Sequence, residues 1–206
     1  MIPALLVVAG YVMGSMPWGL WLVRMFRGED IRTQGSGNIG ATNVWRVHGR
    51  RLGIAAVFLD TVKGFIPAFV ATKLESHGIG VLAGGAAMLG HYRPLFLRFR
   101  KGGKMVATAG GAFLGVAPIV GGIVAGVWLV VFGLTRYASV ASITSALSLP
   151  LWAWLIGYPW PVIAFAGVAA VGVLLLHRAN LGRLWRGEEH RFALRRKQGP
   201  SRAASL

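Results

Sequence analysis

Long runs of uncharged residues decide what this chain can fold into. Residues 1–23, 52–72, 76–92, 105–135 and 137–176 carry almost no charge, while 24–51, 93–104 and 177–206 hold nearly all of it. About 20 mostly apolar residues are enough to cross the ~30 Å of hydrocarbon in a bilayer. A soluble domain of 206 residues would need a more polar surface than 55% hydrophobic and 14% charged residues supply, and the mean hydropathy is +0.60. The 30 glycines suit helices that approach closely in lipid. The expected fold class is an all-α membrane protein.

Charge fixes the expected number of spans. The run 105–135 has 31 residues, long for one helix and short for two. The run 137–176 has 40 and is divided by Gly157, Pro159 and Pro161. If 105–135 is hinged near Pro118, the spans number seven, and loops 24–51 and 93–104, Arg136 and the tail share one side. Those pieces hold 6, 5, 1 and 8 basic residues, so 20 of the 22 face the cytoplasm. One continuous helix over 105–135 would send the eight positive charges of the tail across the membrane. Seven transmembrane helices are therefore expected, N-terminus outside and C-terminus cytoplasmic, with Met1 to Leu22 retained because it lacks the basic start of a cleaved signal. One integral-membrane domain is assigned to 1–192, and 193–206 is expected to be a disordered basic tail. The net charge of +16 is then a topology signal with an affinity for anionic headgroups, and nucleic acid is not an expected partner.

Three polar constellations interrupt the apolar runs. The first is Gly35-Ser36-Gly37-Asn38-Ile39-Gly40-Ala41-Thr42-Asn43, followed by Arg46. It matches G-x-G-x-x-G literally but follows no strand, so it is not a dinucleotide fingerprint. Its glycines can still turn backbone N–H groups toward an anion, and a helix starting near Gly40 would aim its positive end there. Thr42 and Arg46 are i,i+4 on that helix. A plain interfacial loop and amphipathic helix is the competing reading. The second is Gly90-His91-Tyr92-Arg93-Pro94, then Phe96, Phe99 and Lys101-Gly102-Gly103-Lys104, where a Gly-Gly-Lys turn again points donors and an ammonium at one place. His91 ends a short span, and an interfacial cap explains it as well as catalysis does. The third is His177-Arg178-Ala179-Asn180, with His177 and Asn180 on one helix face. A basic stop-transfer flank accounts for Arg178 but for neither His177 nor Asn180. Ser139 and Ser142, near Tyr137, are modest candidates that often serve only as caps. Asp60 and Lys63 lie i,i+3 at membrane depth, where mutual pairing is favoured over direct catalysis.

The chain has no cysteine and only six acidic residues. Disulfides and thiolate sites are excluded, no metal site is expected, and metal-dependent phosphotransfer has few ligands to use.

Together these residues resemble the bacterial acyl-phosphate:glycerol-3-phosphate acyltransferase (PlsY) family, from about Gly14 to Phe192. Gly14-Ser15-Met16-Pro17, the Gly35–Asn43 run, Leu59-Asp60 with Lys63-Gly64, Gly102-Gly103-Lys104, Val106-Ala107-Thr108, Arg136-Tyr137 and His177-Arg178 with Asn180 carry the likeness. The resemblance implies a cytoplasmic-membrane enzyme that moves a fatty acyl group from acyl phosphate to the sn-1 hydroxyl of glycerol 3-phosphate. The products are lysophosphatidic acid and phosphate; no cofactor is needed. It implies catalytic roles for His177, Asn180 and Lys104. Phosphate binding falls to Ser36, Gly37, Asn38, Thr42, Arg46, Gly102, Gly103 and Ser142, with His91, Asn43, Arg178, Asp60 and Lys63 in support. The partners implied are the two substrates and the bilayer; a monomer that can associate with other enzymes of phospholipid synthesis is expected. Three departures stand out: Met105 where the family has a glycine, one extra residue between Phe99 and Gly102, and Arg93 in place of an aromatic. A transporter or scramblase for a phosphorylated metabolite or lipid, and a non-catalytic lipid-surface protein, are the competing functions. The lack of an internal repeat counts against the transporter.

Overall fold

Proline and glycine place the breaks in the apolar runs, and helices fill what lies between. The structure is a computed structural model and describes residues 1–192. The expected tail 193–206 lies outside the described residues. The first run forms α1 (Ile2–Gly14) and α2 (Trp18–Arg27), separated at Ser15-Met16-Pro17. A loop leads to the amphipathic α3 (Ala41–His48), then to α4 (Arg50–Leu74), which continues past Pro67. The Ser76 hydroxyl caps α5 (His77–Tyr92) by accepting from the Ile79 N–H.

The run 105–135 is indeed two helices, α6 (Val106–Val116) and α7 (Pro118–Thr135), parted by the single residue Ala117. Pro118 starts α7 because a first-turn residue needs no N–H partner. The run 137–176 likewise divides into α8 (Ala138–Leu155) and α9 (Trp160–Leu176). α10 (Arg178–Trp185) is bent 55° from α9 at His177. That bend changes one expectation: His177 and Asn180 do not share a continuous helix face, because His177 occupies the break and Asn180 sits beyond it.

Among the described residues, four segments are long and apolar enough to cross a bilayer (Ile2–Arg27, α4, α7 and α8), and a fifth if α9 and α10 are one span. α5 and α6, at 16 and 11 residues, reach only about 24 Å and 16 Å at ~1.5 Å per residue. α4 is central and touches α1, α2, α3, α5 and α6. Its seam with α6 is backbone against backbone. A Cβ on Gly64 would overlap the Thr108 carbonyl, and one on Gly111 would overlap the Thr61 carbonyl. The main core gathers around Phe113, stacked on Phe165 at 4.9 Å, and a smaller one under α2 and α3 holds Leu20, Val23, Ile31 and Val44. Leu129, Val130 and Leu134 of α7 and Val168, Val171 and Leu175 of α9 face outward, as a lipid-bathed surface requires.

Candidate active site

The loop from α5 to α6 is built on a histidine. Gly103 donates its N–H to the His91 carbonyl at 3.0 Å, and Gly102 donates to the Tyr92 carbonyl at 2.9 Å. Gly103 lies flat on the His91 imidazole, so that any Cβ there would overlap the ring. Farther out in the same loop, Arg98 (φ 51°) and Phe99 (φ 59°) turn the chain in the left-handed region. Met105 also has φ 67°. A non-glycine residue there costs about 1–2 kcal/mol, and burial of its side chain in the main core offsets that.

The same loop delivers the Lys104 ammonium, which donates to the Asn180 carbonyl oxygen. Asn180 in turn donates from its amide nitrogen to Glu189 at 2.7 Å, and Arg183 Nε donates to the other Glu189 oxygen at 2.8 Å. Gly187, at φ 73°, turns the chain back after α10 so that Glu189 reaches this position. Burial pushes the Lys104 amine down to about 8, and the charges of Arg183, Lys101 and Arg46 act the same way against the pull of Glu189. Glu189 itself is held below its usual range: burial raises it, but the Asn180 amide and Arg183 outweigh that. Arg46, on the exposed side of α3, feels the charges of Glu189 and Arg183. Arg46, Lys104 and Arg183 therefore share one carboxylate, with the charge of Lys101 acting on Lys104.

His177 is buried beside this cluster, and its Nδ1 lies 2.8 Å from the Val173 carbonyl. A carbonyl only accepts, so Nδ1 carries the hydrogen and Nε2 of the neutral ring is left as an acceptor. Arg178 is exposed at the start of α10.

The Gly35–Asn43 loop is organised by Asn43. This buried side chain accepts from the Ser36 N–H at 2.9 Å and donates to the carbonyls of Gln34 (3.0 Å) and Asn38 (2.9 Å). The Asn38 side chain accepts from the N–H of Gly40, the residue just before α3, at 2.7 Å. Ser36, Gly37, Thr42 and Arg46 are left exposed on the loop and the first turns of α3.

Asp60 and Lys63 do pair, at 2.8 Å and fully enclosed. The Lys63 ammonium also meets the Met16 carbonyl and His91 Nδ1, each at 2.8 Å. His91 is thus sealed between Lys63 and Gly103 and supports the loop from below. Ser142 is buried; its hydroxyl donates to the Ala138 carbonyl (2.7 Å) and accepts from Trp128 Nε1 (3.1 Å). Ser139, one turn earlier, lies beside Glu189. Among the described residues, no three His, Asp or Glu side chains converge to hold a metal.

Sequence reasoning missed Arg183, Glu189 and Phe192. The one available signal was a pair of acidic residues, Glu188-Glu189, in a segment otherwise basic. Phe192 packs edge-on against Trp45 and Phe132, with the Arg46 guanidinium 5.5 Å from its ring centre.

Known proteins share this architecture throughout. The family model described as glycerol-3-phosphate acyltransferase matches residues 4–187. A glycerol-3-phosphate acyltransferase of Desulforudis audaxviator is 42% identical, covering 94% of this chain and 98% of that one. One from Geotalea daltonii is 46% identical, covering 91% and 96%. The crystal structure of PlsY, an integral membrane glycerol 3-phosphate acyltransferase, in its glycerol 3-phosphate form superposes with a TM-score of 0.90 at 42% identity, over 94% of this chain and 96% of that one. The lysophosphatidic acid form gives 0.87 at 40%, over the same shares. The fold, the matched length and the identity to these relatives lead to one conclusion: this chain belongs to the integral-membrane glycerol-3-phosphate acyltransferase family.

Proposed function

We propose that the protein transfers a fatty acyl group from acyl phosphate to the sn-1 hydroxyl of glycerol 3-phosphate, at the cytoplasmic face of a bacterial inner membrane. It would cross that membrane seven times with its N-terminus outside. The observation that carries this reading is the meeting of Lys104, at the end of its loop, with Asn180 of α10, 76 residues away in the chain, within a cluster of cations. Both substrates bear phosphate, and the carboxyl–phosphate anhydride has a good leaving group. The site's task is therefore to hold two anions and bring the hydroxyl to the acyl carbon.

Lys104 and Arg46 supply the charge, with Ser36, Gly37, Asn38 and Thr42 on the loop beside Arg46 and Gly102-Gly103 shaping the turn before Lys104. His177 Nε2 and Asn180 orient the glycerol hydroxyl. As its oxygen bonds to the acyl carbon, the bond from that carbon to the phosphate oxygen breaks and inorganic phosphate departs. The hydroxyl proton passes to a phosphate oxygen of substrate, so no dedicated protein base is required. The ordering of His177 by the Val173 carbonyl supports an orienting role.

Purified protein in detergent or lipid mesophase, given glycerol 3-phosphate and palmitoyl phosphate, is expected to release phosphate only when both are present. Release with acyl-CoA in place of acyl phosphate would replace the donor. Silence with both donors, together with uptake of labelled glycerol 3-phosphate into proteoliposomes, would replace the enzyme by a transporter.

The Lys104 amine gives the reaction a pH signature. It is protonated below about 8 and loses its charge above. The value of kcat/KM for glycerol 3-phosphate should therefore fall as pH rises through about 8. A bound phosphate dianion stabilises the ammonium, so the corresponding limb of kcat should lie at higher pH. A kcat/KM profile flat from pH 7 to 9.5 would remove the Lys104 charge from binding.

A further inference from the structure

We propose that Phe192, outside all three polar constellations, is a positioning residue that aims Arg46 at the substrate phosphate. The proposal rests on the phosphate-binding role given to Arg46 above. After Gly187 the chain crosses from α10 to the turn between α7 and α8 and is fastened at both ends. On one side Glu189 is held by Asn180 and Arg183. On the other, Phe192 donates its N–H to the Arg136 carbonyl at 2.9 Å, and Arg191 Nε donates to the Thr135 carbonyl at 3.2 Å. The ring is thus fixed by a backbone bond at its own residue. Phe132 of α7 meets it edge-on at 5.3 Å and Trp45 of α3 at 6.0 Å.

This placement answers a need of Arg46. A guanidinium on the exposed side of a short helix has many rotamers, and only some reach the ground shared by Lys104, Arg183 and Glu189. The face of Phe192, 5.5 Å from the guanidinium carbon, is an apolar and electronegative surface that a delocalised cation favours. It selects rotamers without consuming any of the five N–H donors. α3 itself packs on α4 and α2. Phe192 is where it is braced against α7.

The test measures glycerol 3-phosphate binding to the full-length protein by calorimetry, together with kcat and KM. Phe192→Leu keeps apolar volume and loses the ring face. It should weaken glycerol 3-phosphate binding and raise KM about three- to tenfold, with kcat and the KM for acyl donor unchanged. Phe192→Trp should stay within about twofold of the parent, because the better ring keeps the contact. In an Arg46→Ala background, Phe192→Leu should add nothing. Unchanged binding in Phe192→Leu overturns the proposal, as does the same loss persisting without Arg46. Loss of the folded melting transition in Phe192→Leu would pass the decision to Phe192→Trp, whose weakened binding at normal stability would also overturn it. A parent that binds glycerol 3-phosphate but does not use acyl phosphate would refute the donor reading and leave this one standing. A parent that does not bind glycerol 3-phosphate overturns both.

Discussion

Lys104→Ala should lower phosphate release by about 10²- to 10³-fold in kcat/KM, the range seen when one preorganised donor to developing charge is lost. The ammonium is the cation that the site itself addresses: two glycines tie its loop to the carbonyls of His91 and Tyr92, and Asn180 receives it. The fall has two sources. A phosphate loses its charge partner, and Asn180 loses the donor that fixes which way its amide faces. Lys104→Arg keeps the charge but places a planar fork where a compact ammonium fits beside buried Asn180, so it should recover only part of the rate. Steady-state kinetics on both variants decide it. If Lys104→Ala keeps more than about a tenth of the activity, Lys104 is a bystander and the charge resides in Arg46 and Arg183.

The second large effect is on stability. Lys63→Met should destabilise the protein by about 3–5 kcal/mol, because it strands the Asp60 carboxylate inside the bundle and removes one of the two donors to the Met16 carbonyl. For a chain of this size that is about 6–20 °C in Tm. The pair itself need not be stabilising, so Asp60→Asn combined with Lys63→Met should recover much of the loss. A Lys63→Met protein that melts with the parent would show that water or another group reaches Asp60. Since Lys63 also meets His91, which underlies Gly103, the single variant should lose activity faster than stability alone predicts.

What could be read from the residues follows the range of the interactions. The helical break at Ser15-Met16-Pro17 inside the first apolar run was not legible, but those at Ala117–Pro118 and Gly157–Pro159 are local chemistry and were. So was the pairing of Asp60 with Lys63, since i,i+3 neighbours at membrane depth have few other partners. Contacts that join distant segments were not. Nothing in the sequence says that Lys63 reaches Met16, 47 residues away, or that His91 lies beneath Gly103. The 55° bend at His177 has no proline or glycine to announce it. Glu189 has no role in the sequence reading, because a carboxylate among arginines looks the same in sequence whether it is solvated or buried in a site. Met105 gave half a signal. Its departure from the family glycine marked the place, while only the backbone shows that the position keeps a left-handed conformation and that the methionine endures it. The number of spans, the orientation and the acyl donor still rest on charge and resemblance.

The seam between α4 and α6 has a mechanical meaning. Where Gly64 meets the Thr108 carbonyl and Gly111 meets the Thr61 carbonyl, no side chain lies between the two helices to act as a bearing. One cannot slide or roll on the other without main chain striking main chain. The loop bearing Lys104 enters α6 directly, and Lys63 stands on α4 one residue before Gly64. Anvil and base are thus a single rigid casting. A substrate phosphate is then met by an ammonium whose place is set by main chain lying on main chain, not by a side-chain contact that could relax.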